Sequence, residues 1–179
     1  MVAGFHLDPN ERVLRKVNRH WVDLLPVAVS TSVLLIIVVV GATAYGMYGN
    51  QLPAFPPALV VMVLFLILII ALLIFAVGIF VYRQNYLVLT NLHLIQVEQK
   101  GLFNRAVAQL SLARVQDVTG RRSGMLATLL NFGNVEVQSA GEKDKFTFRN
   151  APAPQQLADQ CLEAHEAFSR EHPGREDGA

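Results

Sequence analysis

Between Asp23 and Arg83 the chain runs from Leu24 to Tyr82 without one Asp, Glu, Lys, Arg or His. A bilayer crossing needs roughly 20 apolar residues, so this run is too long for one crossing and suits two. Gly46, Gly49, Asn50, Pro53, Pro56 and Pro57 interrupt it near the middle. Such residues end helices, because glycine tolerates positive φ and proline lacks an amide donor. The pattern predicts two apolar helices, over 21–45 and 57–82, joined by an uncharged loop over 46–56. In hydrocarbon every peptide group needs an internal partner, which a helical hairpin supplies. A chain of 179 residues has too little other material to wrap two such helices in a soluble core.

After Arg83 the period changes. Tyr86 to Thr90 and Leu92 to Glu98 are short runs rich in aliphatic and β-branched residues, with a turn signal at Asn91. Ala106, Ala108, Leu110 and Leu112 alternate across a third segment, the mark of a strand with one buried face. Val115 to Thr119 is a further strand candidate, and the polar stretch from Gly120 to Gly124 reads as a turn. Met125, Leu126, Leu129 and Leu130 then fall at helical spacing, with Ser123 as the cap candidate. This short insert is expected to pack on the barrel or to lie against lipid. Val135 and Val137, then Phe146 and Phe148, alternate with polar residues as half-buried strands around a charged turn at Gly141 to Asp144. Leu157, Cys161, Ala164 and Phe168 recur at helical spacing after Pro152 and Pro154, which predicts a C-terminal amphipathic helix. Residues 172–179 are Pro, Gly and charge, and are expected to be a disordered tail.

About six short strands and one terminal helix suggest a small β-barrel or sandwich capped by that helix. Four segments carry a family resemblance: Asn85-Tyr-Leu-Val-Leu-Thr-Asn91, Gly101-Leu-Phe-Asn-Arg105, Leu112-Ala-Arg-Val-Gln-Asp-Val118 and Phe132-Gly-Asn-Val-Glu-Val-Gln-Ser-Ala-Gly141. With Leu7-Asp-Pro-Asn-Glu-Arg-Val13 and Arg19-His-Trp21 upstream, their order resembles the bacterial pleckstrin-homology-like (PH) membrane proteins of the YdbS type. The resemblance implies bent antiparallel sheets capped by a C-terminal helix, over residues 83–171, and implies no settled activity. The expected architecture is a two-helix transmembrane hairpin followed by a mainly β, PH-like barrel or sandwich with a capping α-helix.

Charge fixes the expected orientation. Arg12, Arg15, Lys16 and Arg19 precede the first span and Arg83 follows the second, while the loop between carries no charge. The positive-inside rule then puts both termini, including an N-terminal segment over 1–20, in the cytoplasm, at a bacterial inner membrane. Trp21, Tyr45, Tyr48, Tyr82 and Tyr86 fall near the span ends and are candidate interfacial anchors. The first span is long and follows some twenty polar residues, so it reads as retained rather than cleaved. From Arg83 onward acids balance bases, which argues against nucleic acid as a partner. The single cysteine, Cys161, forbids an intrachain disulfide and fits a reducing compartment.

No catalytic constellation emerges. The five histidines lack metal-ligand spacing, Cys161 lies on the expected packing face of a helix, and no phosphate-binding glycine loop, nucleophile elbow or HExxH motif is present. The expectation is a protein that is not an enzyme and needs no cofactor. A transporter or pore subunit is a weaker alternative, since the spans offer only Ser30, Thr31, Ser32 and Thr43 as serine or threonine hydroxyls. Gly41, Ala42, Ala44, Gly46, Ala71, Ala76 and Gly78 suit close helix packing, within the hairpin before between copies. Arg121 and Arg122, with Lys143, Lys145 and Arg149, are the candidate anion or headgroup site, weighed against pairing with Glu142 and Asp144. The expected function is a membrane-anchored interaction module that binds a protein partner or a second copy of itself, with anionic lipid sensing as the alternative.

Overall fold

The computed structural model describes residues 11–49, 56–139 and 146–171. The Gly141–Asp144 turn, Lys143, Lys145, the loop around Pro53, residues 1–10 and the tail from His172 lie outside the described residues. The chain divides into two compact units: one is Trp21–Tyr82, and the other joins residues 11–20 to the described residues from Arg83 onward.

The first unit is two helices. A 3-10 turn over Trp21–Leu24 leads into α1, Leu25–Tyr48, with proline in its first turn, where the missing amide donor has no helical partner to lose. The second helix, α2, spans Pro57–Gln84 and so runs on past Tyr82. Each helix is long and apolar enough to cross a membrane. They pack antiparallel: a Cβ on Gly41 would lie 3.0 Å from Leu64, and one on Gly78 would lie 2.8 Å from Cγ2 of Val27. Ala71 is fully buried, whereas Gly46 faces open space. Ser30 and Thr43 hydroxyls donate to carbonyls one turn back, at Val27, Val39 and Val40, which leaves them no free polarity.

The second unit is a sandwich of two antiparallel sheets. Strands β1 (Val13–Asn18), β2 (Tyr86–Thr90), β3 (His93–Lys100) and β4 (Asn104–Ser111) form the first, in that order. Strands β5 (Val115–Arg121), β6 (Phe132–Ser139) and β7 (Phe146–Pro152) form the second, with a short helix α3 (Met125–Leu129) between β5 and β6. The C-terminal helix α4, Pro154–Glu171, covers the core with Leu157, Cys161, Ala164 and Phe168, the face that the sequence period picks out. Its His165 Nδ1 lies 2.7 Å from the Leu112 carbonyl oxygen at the corner where the chain passes between sheets. All of β2 is buried, with Leu87 and Leu89 in the main core and Tyr86 and Val88 in a second cluster with Ile95 and Val97. A strand buried on both faces reads as a continuous apolar run rather than an alternating one.

Three features depart from the sequence reading. The N-terminal segment supplies a strand, because β1 pairs with β2 from Val13↔Thr90 to Asn18↔Tyr86. Only Val17 of it is buried, so its bases left no period to read. Ser123 does not cap α3, whose N-cap is Gly124 with no side-chain bond. Tyr86 is no interfacial anchor: its ring is 3% exposed, with Lys16 Nζ 4.2 Å from the ring centroid.

The join between β1 and the β2–β3 turn rests on a buried polar knot. The Thr90 hydroxyl accepts from the amides of Leu92 and His93 and lies 2.6 Å from Glu11 Oε1, which is also 3.0 Å from His93 Nδ1. Thr90→Val strips these buried groups of a partner and is expected to cost about 1–3 kcal/mol. The urea midpoint at which Cys161 becomes open to thiol reagents measures it.

Candidate functional site

The inward face of the first sheet changes character along β3 and β4. Leu94 opposes Leu110 in the core, but the next inward pairs are Gln96↔Ala108, Glu98↔Ala106 and Lys100↔Asn104. Across from them, Phe146, Thr147 and Arg149 of β7 complete an open cleft of about 340 Å³, with Arg19 at its side. Ala106 and Ala108 alternate as a buried face would, yet they are exposed, because they stand where this cleft opens.

Electrostatically the cleft is centred on Glu98. Arg19 Nη2 lies 3.3 Å from one of its oxygens and Lys100 Nζ 3.8 Å from the other. The Arg19 and Glu98 side chains are only 15% and 28% exposed, so solvent screens this pair less than an ordinary surface pair. With Arg149 the lining carries three bases to one acid, an arrangement suited to an anionic group.

Of the expected anion-binding residues that are described, Arg121, Arg122 and Arg149, only Arg149 lines the cleft. Arg121 Nε is 4.0 Å from Glu136 Oε2, and Arg122 hydrogen-bonds the side chains of Asn131, at 3.2 Å, and Gln155. The sequence reading takes Arg19 only as a topology signal and Glu98 only as a strand residue, and singles out neither Gln96 nor Lys100. Their signal was present: from Leu94 the inward positions of β3 turn polar at Gln96, Glu98 and Lys100. Of the bases read as topology signals, Arg15 also has a side-chain partner in the sandwich, its guanidinium donating to Gln160, while the Arg12 backbone amide donates to Asn91 Oδ1 at 2.7 Å. Arg83 sits in the last turn of α2 and Trp21, half-exposed, in the first 3-10 turn, while Tyr45 and Tyr48 fall in the last turns of α1 and Tyr82 near the end of α2.

Beside the cleft runs a sheet edge. Strand β4 pairs only with β3 among the described residues and is exposed at six of its eight positions.

Among the described residues no group of three or more His, Cys, Asp and Glu side chains is placed to hold a metal. Burial pushes the Cys161 thiol up from 9.0 to about 12. A raised thiol pKa suppresses the nucleophilic thiolate. The folded protein is therefore expected to resist maleimide at neutral pH and to react on unfolding. Stability follows the same shift: the unfolded thiol ionises first, so the contribution is full below 9.0 and is lost as pH rises toward about 12.

A family model described as the bacterial PH domain matches residues 24–165. The chain belongs to the bacterial PH domain family. No curated protein and no solved structure matches it. The span shared with the bacterial PH domain model takes in both apolar helices and strands β2 to β7, and leaves β1 outside. In this bacterial PH domain protein the cleft joins a wall inside the matched span, built from β3, β4 and β7, to Arg19, which lies outside it. Membership supports a protein or lipid interaction module.

Proposed function

We propose that this bacterial PH domain protein is a membrane-anchored, non-catalytic interaction module of the YdbS type. In this reading the helical hairpin crosses the inner membrane with both termini cytoplasmic, and the sandwich captures an extended, acidic protein segment. The segment belongs to a partner or to a second copy of the chain. The observation that carries the reading is the exposed β4 edge beside a cleft richer in bases than acids. An exposed edge presents unpaired backbone groups to which an extended segment can add as a further strand. Ala106 and Ala108, being small, leave room for its side chains, and Arg19, Lys100 and Arg149 supply the charge. The length and apolarity of α1 and α2 support the anchor, and the bases around the uncharged run support the orientation. The raised thiol pKa of Cys161 supports the absence of thiol chemistry.

A photocrosslinking residue at Val107, half-exposed on β4, tests this in native membranes. The expected result is a discrete protein adduct that Lys100→Glu with Arg149→Glu abolishes. The alternative, capture of an anionic lipid headgroup, is favoured by the bases around Glu98. Lipid adducts alone would establish that alternative in place of the protein segment.

A further inference from the structure

The chain leaves the sandwich for the apolar helices after Arg19 and His20 and returns to it at Asn85, and these points are neighbours: the Arg19 amide lies 3.4 Å from the Asn85 carbonyl oxygen. Two exposed apolar projections are fastened to the same place.

The first is the β3–β4 turn. Asn85 holds Gln99 by two bonds, from its Nδ2 to the Gln99 carbonyl at 3.1 Å and from the Gln99 amide to its Oδ1 at 3.0 Å. The Gln99 carboxamide in turn donates to the carbonyls of Gly101, at 2.9 Å, and Leu102, at 3.2 Å. This chain of bonds presents Leu102 and a Phe103 that is 98% exposed. The second projection is α3. The His20 ring stacks on Phe132 with centroids 5.3 Å apart, and the His20 amide reaches the Asn150 carbonyl at 2.6 Å. Phe132 closes the excursion that displays Met125, Leu126 and Leu129, while the small Ala127 is the residue buried. A short amphipathic turn that buries its alanine and exposes its large apolar side chains reverses the usual rule.

Bases flank each projection: Lys100 precedes the turn, and Arg121 and Arg122 precede α3, all three exposed. Apolar tips flanked by cations complement an anionic interface, in which rings and aliphatics sit at the headgroup boundary and bases meet phosphate.

We infer that Leu102, Phe103, Met125, Leu126 and Leu129 form a collar that docks into the interfacial zone of an anionic bilayer. This rests on the proposed membrane anchoring, because both projections are fastened to the residues at which the chain leaves the sandwich and returns to it. It adds a second grip, which fixes the tilt of the sandwich over the membrane.

The test uses the full chain in vesicles of phosphatidylcholine and phosphatidylglycerol, with lipids brominated near the headgroup end of the acyl chains. Trp21, the single tryptophan, reports the start of the first helix in the native chain. Phe103→Trp and Met125→Trp, each in a Trp21→Phe background, report the collar. An interfacial ring lies roughly 5–10 Å deep, so bromine there is expected to cut the emission to about half at all three positions. Quenching of Trp21 with none at the two collar positions would overturn the inference and leave the anchoring intact. Quenching at none of the three would overturn both. A blue shift at the collar without bromine quenching would place protein on it and would also overturn the inference.

Discussion

Gly133→Ala is expected to unfold the sandwich. A Cβ at this position would overlap the carbonyl oxygen of Arg121 on the paired strand and stand 3.1 Å from Pro154 Cγ. Neither group can move aside alone, since one is ladder backbone and the other opens α4. Gly120 is hemmed in by the same element, its absent Cβ being 2.5 Å from the Pro154 carbonyl oxygen and 2.9 Å from Gln155 Cα. The two glycines form the seat on which α4 enters the sandwich, and any side chain on the seat lifts the helix that carries Leu157 and Phe168. Overpacking a tight site costs typically 1–3 kcal/mol when side chains can yield, so a backbone clash is expected to exceed about 3 kcal/mol. Maleimide labelling of Cys161 in native buffer is the readout: slow in the parent, rapid in the variant. Gly46→Ala, which meets open space on α1, is the matched control and should leave labelling slow.

Phe148→Ala is expected to have a similarly large effect, about 3–5 kcal/mol, the usual range for emptying a buried phenylalanine site. Phe148 is 1% exposed and lies in the main core beside Val135 and Val137 of β6 and the inner face of α4. Removing the ring leaves a cavity bounded by both sheets and the helix, which cannot all collapse onto it. Phe103→Ala removes the same atoms from a ring that is 98% exposed, and should shift the urea midpoint of Cys161 labelling little or not at all. The pair separates folding from display: one phenylalanine holds the sandwich together and the other projects from it.

Much of this fold was legible because its signals are local. Val135, Val137 and Phe148 alternate in sequence and are buried in the structure, and Leu157, Cys161, Ala164 and Phe168 share one buried helical face. The two helices follow from apolar length and proline, and the family resemblance added bent antiparallel sheets with a C-terminal capping helix while leaving barrel or sandwich open. Strand β1 was hidden because an edge strand buries little; only Val17 of its side chains is buried, and its partner lies across the whole hairpin in sequence. The cleft was hidden for a related reason. Ala106 and Ala108 have the period of core residues, and only the opening of the cleft at their end of the sandwich turns that period into an exposed wall. Nor does sequence distance reveal that Arg19 meets Glu98, or that Asn85 steadies the turn bearing Phe103. Such contacts are made by topology, after the strands have found their order.

These contacts give the protein a consistent physical logic. One unit is apolar, with the Ser30 and Thr43 hydroxyls bonded to carbonyls of their own helix, and suits a passive anchor. The other unit presents a cleft lined by three bases and one acid, an open sheet edge and exposed apolar side chains on the β3–β4 turn and on α3. The proposed function requires a bilayer that places the connecting loop on one side and the sandwich on the other.

That placement can be measured directly by introducing Gln51→Cys in the loop and Gln116→Cys, which is exposed after β5 begins, in separate full-length chains. Buried Cys161, its pKa raised to about 12, stays silent and need not be removed. In sealed vesicles of known orientation, a membrane-impermeant maleimide is predicted to reach position 51 only from the outer face and position 116 only from the cytoplasmic face. Labelling of both positions from the same face would contradict a hairpin that crosses the membrane, and with it the role of the helices as the anchor of an interaction module.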